Sequence, residues 1–440
     1  MLKINNWSGF FLKLFLLTFP LQIQTLLYKA GFFSGQFNSF AAFLFSISEG
    51  FLLASLLAYG IERVIHPGKH PELLDNFTKV ELFLASSLIA LLLWTLASVF
   101  WADDRVLALL FGLRLLELLG LLYLIVVEVL PRQTLLKYLL IGALAQVIIG
   151  MGQYFKQSDL GLTFLGEPHL AIDNLNIAKI DLGGEKILRA YGTFAHANIL
   201  GGYLAICFGL LIQSINSKNW WKRVVVALAL CAGILLSFSR SAWLALLAML
   251  VVLITVQAFK INWKQLILGL SVILFVLVIF SIDQVIWARI IDFSMQALDE
   301  RLIFSEIARE MIFHQPWLGV GAGNFILKMS DYYPGVLSPW LFQPVHNFFL
   351  MIVSELGLVG LLCWLGILGG MLKQIGDSMR RIIKSERFYW KAYMALLMGI
   401  LVLSLLDHYL YTAWPGQVLV FLIIGLIWRD YRERRTELAK

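Results

Sequence analysis

The sequence predicts an all-α polytopic membrane protein with about 12 transmembrane helices, and two observations support this fold class. Hydrophobic residues make up 60% of the 440 residues, charged residues only 14%, and the mean hydropathy is +0.81. Soluble domains carry about 25% charged residues, so the composition excludes an ordinary soluble protein. In addition, apolar windows of about 20 residues, each long enough to cross a ~30 Å hydrocarbon core as a helix, recur along the whole chain.

The windows follow one another closely, which predicts a single integral membrane domain over 1–440. They lie near 10–28, 38–61, 80–101, 107–130, 134–155, 198–215, 222–238, 241–258, 264–283, 347–372, 391–411 and 415–428. The first window has Lys3 before it and Lys13 near its start, and it resembles a signal sequence. Because Pro20 and Gln22 lie inside it and no small-residue cleavage site follows, we interpret it as a retained helix.

Basic residues predict the orientation of the helices. Lysine and arginine concentrate in alternate connections, including 373–391, and in the tail RDYRERR. Such residues resist translocation, so both chain ends are predicted to be cytoplasmic. The net charge of +7 is then explained by contact with membrane lipid headgroups. No basic patch interleaved with aromatic residues is present, which argues against nucleic-acid binding.

Two predicted outer loops are much longer than the other connections, and long loops of this kind are usually functional or disordered. The first, 156–197, contains the alternating runs NIAKIDL and EKILRAYG on either side of Gly183 and Gly184. Alternation around such a turn predicts a β-hairpin. The second loop is 284–346, and its pattern predicts amphipathic helices.

The helix predicted from Asp299 to Phe313 carries one apolar face and one basic stripe formed by Arg301 and Arg309. The glycine-rich segment LGVGAGNF follows it. A phosphate-binding loop was weighed for this segment, but no strand precedes it, so a tight chain reversal is the favoured interpretation.

Arginines on the predicted outer side indicate an anion site. Arg240, in LLSFSRSAWLAL, lies in the short link between two spans and beside a helix N-terminus, where an arginine suits an anionic group. Alternatively, a lone arginine at this depth contacts lipid phosphate. Arg189, Arg301 and Arg309 also lie on outer segments, and this grouping favours the anion site.

Histidines near helix starts are candidates for proton transfer. His346, in VHNFF, precedes the tenth span, and a helix N-terminus keeps imidazole neutral and able to accept a proton. His196, at the start of the sixth span, has the same possibility. The alternative for each is a hydrogen-bonded structural histidine. His408 is expected to pair with Asp407 and is the weaker candidate.

Other site chemistries are disfavoured. Asp103 and Asp104, in WADDR, form the best acidic pair for a metal, but adjacent aspartates at a helix start usually cap it, so neither a metal site nor a cofactor is predicted. A transporter would use intramembrane charges, yet Arg114 and Glu117 are three residues apart and are expected to satisfy each other. A non-enzymatic scaffold would not need arginines and a histidine to converge.

Four motifs resemble the O-antigen ligase and polymerase superfamily of bacterial membrane glycosyltransferases. They are GTFAHANILGGYL, LSFSRSAWLA, ERLIFSEIAREMIFHQPWLGVGAGNF and VHNFFLMIVSELGLVGLL, which together cover about 185–365. The family commonly has proline where this chain has Ala197. The resemblance implies a GT-C-like architecture with Arg240, Arg301 and His346 as catalytic residues. Arg189 matches a further arginine of the family, which precedes GTF. We predict substrate-binding roles for Arg189 and also for Arg309, His196 and Asn347.

The resemblance further implies a donor glycan carried on undecaprenyl diphosphate at the periplasmic face of the bacterial inner membrane. The acceptor would be a hydroxyl of lipid A core, of another glycan or of a protein, and transfer would be metal-independent and inverting. Arginines suit the leaving diphosphate, and a neutral histidine suits a general base. An O-antigen polymerase or a protein O-oligosaccharyltransferase of the same superfamily, or a small-anion, bicarbonate-like transporter, are the alternatives.

Overall fold

The computed structural model describes residues 6–33, 36–66, 77–174, 177–182, 184–213, 220–255, 271, 295–381 and 387–439. These residues form a mostly helical bundle with three small two-stranded antiparallel sheets. The helices are α1 (Trp7–Thr18), α2 (Ile47–Ile65), α3 (Lys79–Ala97), α4 (Arg105–Val126), α5 (Arg132–Lys156), α6 (Ala197–Ile212), α7 (Trp220–Leu236), α8 (Arg240–Thr255), α9 (Met295–His314), α10 (Phe325–Lys328), α11 (Phe348–Arg381), α12 (Arg387–Leu406), α13 (Tyr409–Thr412) and α14 (Trp414–Ala439). The strands are β1 (Gln24–Lys29), β2 (Phe32–Phe33), β3 (Gln36–Phe37), β4 (Ala42–Ser46), β5 (Lys179–Leu182) and β6 (Glu185–Leu188).

The chain between α1 and α2 corrects the all-α prediction. Helix α1 ends at Thr18, close to Pro20, and β1 then pairs with β4 in an antiparallel sheet. The predicted windows 10–28 and 38–61 are therefore helical over only part of their length. Both strands are rich in aromatic and large apolar residues, which suit a pleated, half-buried surface. Ser46 and Glu49 then form a capping box that begins α2.

Most of the remaining helices that the structure describes begin and end within a few residues of the predicted windows, but α11 (Phe348–Arg381) and α14 (Trp414–Ala439) extend well beyond the predicted ends at 372 and 428. Five are long and apolar enough to cross a membrane, and these are α3, α4, α5, α11 and α12. Helices α1, α6 and α8 are apolar but shorter. The predicted ninth window, 264–283, lies almost wholly outside the described residues. The chain is thus a multi-pass membrane protein, and its lateral surface carries exposed apolar side chains such as Ile148, at 70% exposure.

Helix α14 occupies the middle of the bundle, and its C-terminal half binds the ends of three other helices. Arg435 lies 2.8 Å from the carboxylate of Glu81 at the start of α3, and Glu81 has no exposed surface. Arg132, at the start of α5, lies 3.3 Å from Asp430, which also accepts hydrogen bonds from tyrosines of α12. A buried carboxylate needs such partners, so these pairs hold the basic ends of the helices together.

Buried charges inside the bundle pair differently from the prediction. Arg114 of α4 donates from Nε to Glu49 of α2 at 2.9 Å, whereas Oε1 of Glu117 is buried without a hydrogen-bond partner among the described residues. The expected pair of Arg114 with Glu117 is therefore wrong. The reason is tertiary, because β4 and the start of α2 dock on α4 and bring a second carboxylate to the arginine.

Helix α11 is broken at Gly357, where φ is 66° and ψ is −171°. The glycine-rich segment runs beside the break, so that Leu358 N–H donates to Pro316 O at 2.8 Å and Val320 N–H donates to Ser354 O at 2.8 Å. A Cβ atom at Gly357 would overlap a backbone carbonyl of this segment. Glycine is thus required both for the left-handed conformation and for the close approach.

Candidate active site

Two histidines and an aspartate meet where α11 and α13 begin. His346 lies two residues before α11, and Asp407 and His408 form the corner between α12 and α13. The rings of His346 and His408 are 5.2 Å apart and nearly perpendicular. One nitrogen of each histidine and one oxygen of Asp407 all lie within 4.8 Å of one another. We call this group the His-Asp-His corner.

Asp407 is 4% exposed, so its carboxylate depends on protein partners. Its oxygens accept hydrogen bonds from the backbone N–H of His408 at 2.8 Å and from Nδ2 of Asn198 at 3.0 Å. The oxygen of the same amide, Oδ1 of Asn198, accepts from Nη2 of Arg189 at 2.6 Å, and Arg189 Nε donates to Ser237 O at 2.8 Å. Arg189, predicted as a substrate-binding residue, is therefore connected to Asp407 through one amide.

His196 caps helix α6. Its Nδ1 accepts a hydrogen bond from the backbone N–H of Asn198 at 3.1 Å, which places the ring proton of the neutral imidazole on Nε2. Burial, and next the positive charge of Arg189, lower the pKa of His196 to about 3. The imidazole is therefore uncharged at neutral pH. Its position next to Asn198 connects it to the His-Asp-His corner.

His346 is also held neutral. Burial is the largest cause that lowers its pKa below the usual value, and Arg301 lowers it further, while Asp407 and Glu300 act in the opposite direction. The ring lies parallel to Phe304 of α9, with centroids 5.8 Å apart and planes inclined by 16°. Phe304 thus fixes the ring orientation, and it brings the helix that carries Arg301 against the histidine.

The predicted catalytic residues lie at different positions relative to this corner. Arg301 is exposed and three residues before Phe304, and its charge acts on both His346 and His408. Arg240 is the first residue of α8 and is partly buried. It follows Ser237 by three residues, and the carbonyl of Ser237 accepts a hydrogen bond from Arg189. The structure therefore joins Arg301 electrostatically to His346, and it places Arg240 at the Arg189 end of the same network.

Two predicted substrate-binding residues make local contacts. Arg309 pairs with Glu306 and with Glu310 at 3.0 Å on the exposed face of α9. Asn347 caps α11, because its side-chain oxygen accepts from the backbone N–H groups of Phe349 and Leu350 at 3.0 Å each. Their roles in substrate binding remain predictions.

The glycine-rich segment cradles a carboxylate of the protein itself. Glu355, in α11, accepts hydrogen bonds from the backbone N–H of Gly323 at 2.8 Å and of Phe325 at 3.2 Å, and from the hydroxyl of Tyr411 at 2.9 Å. These amides are therefore already satisfied, in agreement with a chain reversal instead of a phosphate loop. Because Tyr411 belongs to α13, Glu355 also holds the short helix that follows His408.

The acidic pair considered for a metal is engaged in helix capping and a salt bridge. Asp104 caps α4 by accepting from the backbone N–H of Leu107 at 2.9 Å, and it also accepts from Tyr28. Asp103 pairs with Lys328 at 2.8 Å. Capping was the favoured interpretation of this pair, and for Asp104 it is confirmed.

Sequence reasoning undervalued several residues that the structure brings together. The sequence favours His346 over His408, and it gives no separate reason to select Asn198 or Thr412. The side-chain oxygen of Thr412 lies 2.7 Å from Nδ1 of His408, within hydrogen-bond distance. The dipeptide Asp-His in LLDHYLYT, at the outer end of an apolar window, was the signal available in the sequence, because charged side chains there need a polar partner.

Comparison with known proteins gives one family. Residues 224–365 match the family described as O-Antigen ligase, a segment that includes Arg240, Arg301 and His346. The match supports the O-antigen ligase superfamily and a ligase- or polymerase-type glycosyltransferase. Such a family implies a lipid-linked glycan and a glycan acceptor as substrates. A search of curated proteins finds no match.

Proposed function

We propose that the protein transfers a glycan from undecaprenyl diphosphate to an acceptor hydroxyl, as an O-antigen or surface-polysaccharide ligase with its site on the periplasmic face of the inner membrane. The observation that carries this proposal is a buried imidazole, His346, that lies next to a buried carboxylate and stacks on Phe304 of the helix that carries Arg301. A neutral imidazole accepts a proton, the carboxylate stabilises the resulting imidazolium, and the arginine suits a diphosphate.

In the proposed reaction the acceptor oxygen attacks the anomeric carbon of the donor sugar. The new carbon–oxygen bond forms as the bond to the diphosphate breaks, and the electron pair leaves with the phosphate oxygen. The acceptor proton passes to His346. Direct attack from the opposite face inverts the anomeric configuration.

Arginines act on the leaving group in this proposal. Arg301 and Arg240 stabilise the charge that develops on the diphosphate, since the planar guanidinium donates two parallel hydrogen bonds to phosphate oxygens. Arg189 is less available, because Ser237 and Asn198 already occupy two of its donor groups. We assign to it the positioning of Asp407 through Asn198.

The test is single-turnover transfer by purified protein in lipid nanodiscs, with a lipid-linked glycan as donor. We expect His346→Ala to bind the donor normally and to transfer it about 10²–10⁴ times more slowly, the usual contribution of general base catalysis. His314→Ala is the matched control, because this exposed histidine on α9 contacts only Glu310 and nearby aromatic rings in the structure. If His346→Ala transfers at the normal rate, the assigned role is wrong, and His196 becomes the residue to test.

The proposal also requires transfer without a divalent cation. Transfer should continue in EDTA, and activity that is abolished by EDTA and restored by magnesium or manganese would contradict it. The transporter alternative is tested on the same protein in liposomes, where flux of a small anion without glycan transfer would favour it. The buried pair of Arg114 and Glu49 does not favour transport, because each charge has a structural partner.

A further inference from the structure

We propose that His346, Asp407 and His408 form a binding site for a first-row transition metal ion of the Zn²⁺ class, and that the bound ion inhibits transfer. Two imidazoles and one carboxylate are ligands that zinc accepts, whereas magnesium and calcium prefer oxygen ligands alone. The site is separate from the acidic pair Asp103 and Asp104, whose side chains already cap a helix and bind a lysine.

The ligand atoms are close enough together to bind one metal ion after small rotations of the side chains. The three atoms lie within 4.8 Å of one another, and Nε2 of His408 lies 3.9 Å from Oδ1 of Asp407. Metal–ligand bonds of about 2.0–2.2 Å at tetrahedral angles place neighbouring ligand atoms about 3.4 Å apart. Side-chain rotations that bring the atoms closer by up to about 1.4 Å (from 4.8 Å to about 3.4 Å) would therefore complete three positions and leave a fourth open.

Hydrogen bonds around the corner already orient two of the ligands. Thr412 Oγ1 lies 2.7 Å from Nδ1 of His408, so Nε2 of that ring is left for a metal. Asp407 is held by the amide of Asn198 and by the backbone of His408. Metal-binding histidines characteristically have such a partner on the other ring nitrogen.

A buried nitrogen atom without a hydrogen-bond partner supports the metal site independently of the spacing of the ligands. Nδ1 of His346 is buried and has no hydrogen-bond partner among the residues that the structure describes. A buried polar atom without a partner is costly, and a ligand that occupies it removes the cost. Binding an ion through His346 takes up the lone pair that the proposed reaction needs, so the inhibition, unlike the binding, rests on the proposed function.

Metal binding is tested directly, without any measurement of transfer. Untagged protein in nanodiscs is titrated with Co²⁺, whose visible absorption reports nitrogen and oxygen ligation, and Zn²⁺ is then added to displace it. We expect a spectrum that appears at one equivalent and is abolished by Zn²⁺. The spectrum should be lost in His408→Ala, and Thr412→Val should weaken binding by about 10–100-fold, the usual effect of removing an outer partner of a metal ligand.

His314→Ala is the control, because His314 and Glu310 form an exposed pair on α9 that resembles a surface metal site. Its Co²⁺ spectrum should equal that of the wild type. A wild-type spectrum in His408→Ala, or loss of the spectrum in His314→Ala, would overturn the proposal. In the transfer assay, Zn²⁺ should inhibit and EDTA should restore the rate. If no transfer is detected at all, the proposed function fails while the Co²⁺ titration still decides the metal site.

Discussion

Replacing Glu355 by alanine should strongly destabilise the protein, because this carboxyl group joins three parts of the fold. It is 1% exposed and accepts from the amides of Gly323 and Phe325 and from the hydroxyl of Tyr411. Each buried donor that loses its acceptor costs about 1–3 kcal/mol, so three donors cost about 3–9 kcal/mol. Glu355→Gln keeps the size and one acceptor oxygen but turns an amide N–H towards a donor, and we expect a loss of about 1–3 kcal/mol.

The assay is thermal unfolding in nanodiscs followed by tryptophan fluorescence. The expected order of midpoint temperatures, from highest to lowest, is wild type, Glu355→Gln and then Glu355→Ala, and we expect a low yield of Glu355→Ala. Glu306→Ala is the matched control, since this glutamate lies on the exposed face of α9 and its removal should change the midpoint little. A midpoint for Glu355→Ala equal to that of the wild type would show that the glycine-rich segment does not depend on this carboxyl group.

Three further predictions concern the site and the orientation of the chain. A Cβ atom at Gly202 would overlap the hydroxyl of Tyr409, so Gly202→Ala should destabilise the fold by about 1–3 kcal/mol and reduce transfer. Gly50 has open space around it, so Gly50→Ala should change neither stability nor transfer. Equal unfolding temperatures of the two variants would contradict the predicted clash. Arg240→Lys should remain impaired in donor binding, because an ammonium group lacks the planar fork, and normal binding would argue against a diphosphate contact. Asp181→Cys, on exposed strand β5, should react with an impermeant thiol reagent in intact cells, and labelling only after lysis would reverse the predicted orientation.

Hydrophobic periodicity located most of the helices, and it failed where an apolar run was also compatible with a strand. The window 38–61 contains AFLFS, which is as apolar as the helix that follows, yet it pairs with β1, because the antiparallel pair of β2 and β3 reverses the chain between them. The apolar composition of a segment indicates that the segment prefers the membrane interior. It does not show whether the segment forms a helix or a short buried strand. Proline and the capping pair Ser46 and Glu49 were the local signals that marked the boundary.

Position in the sequence indicated Arg240 and His346, because such residues at the outer ends of apolar windows are costly unless they have a function. Arg301 was indicated by the basic stripe of the predicted loop helix, and the family resemblance implied catalytic roles for all three. The sequence could not show which side chains lie together. Asp407 reaches His346 across 61 positions of chain, and Asn198 reaches Asp407 across 209, a separation that only the packing of α6 against α12 and α13 brings to hydrogen-bond distance.

The sequence by itself therefore determined the class of the protein, the extent of most helices and the residue types available at one end of the bundle, since each depends on local composition and period. The tertiary structure decided the pairings. Arg114 donates a hydrogen bond to the carboxylate of Glu49 and not to that of Glu117, and the backbone N–H of Gly323 in the glycine-rich segment donates to Glu355. A buried charge binds whichever partner the packing brings within about 3 Å, and that distance is set by the helices around it.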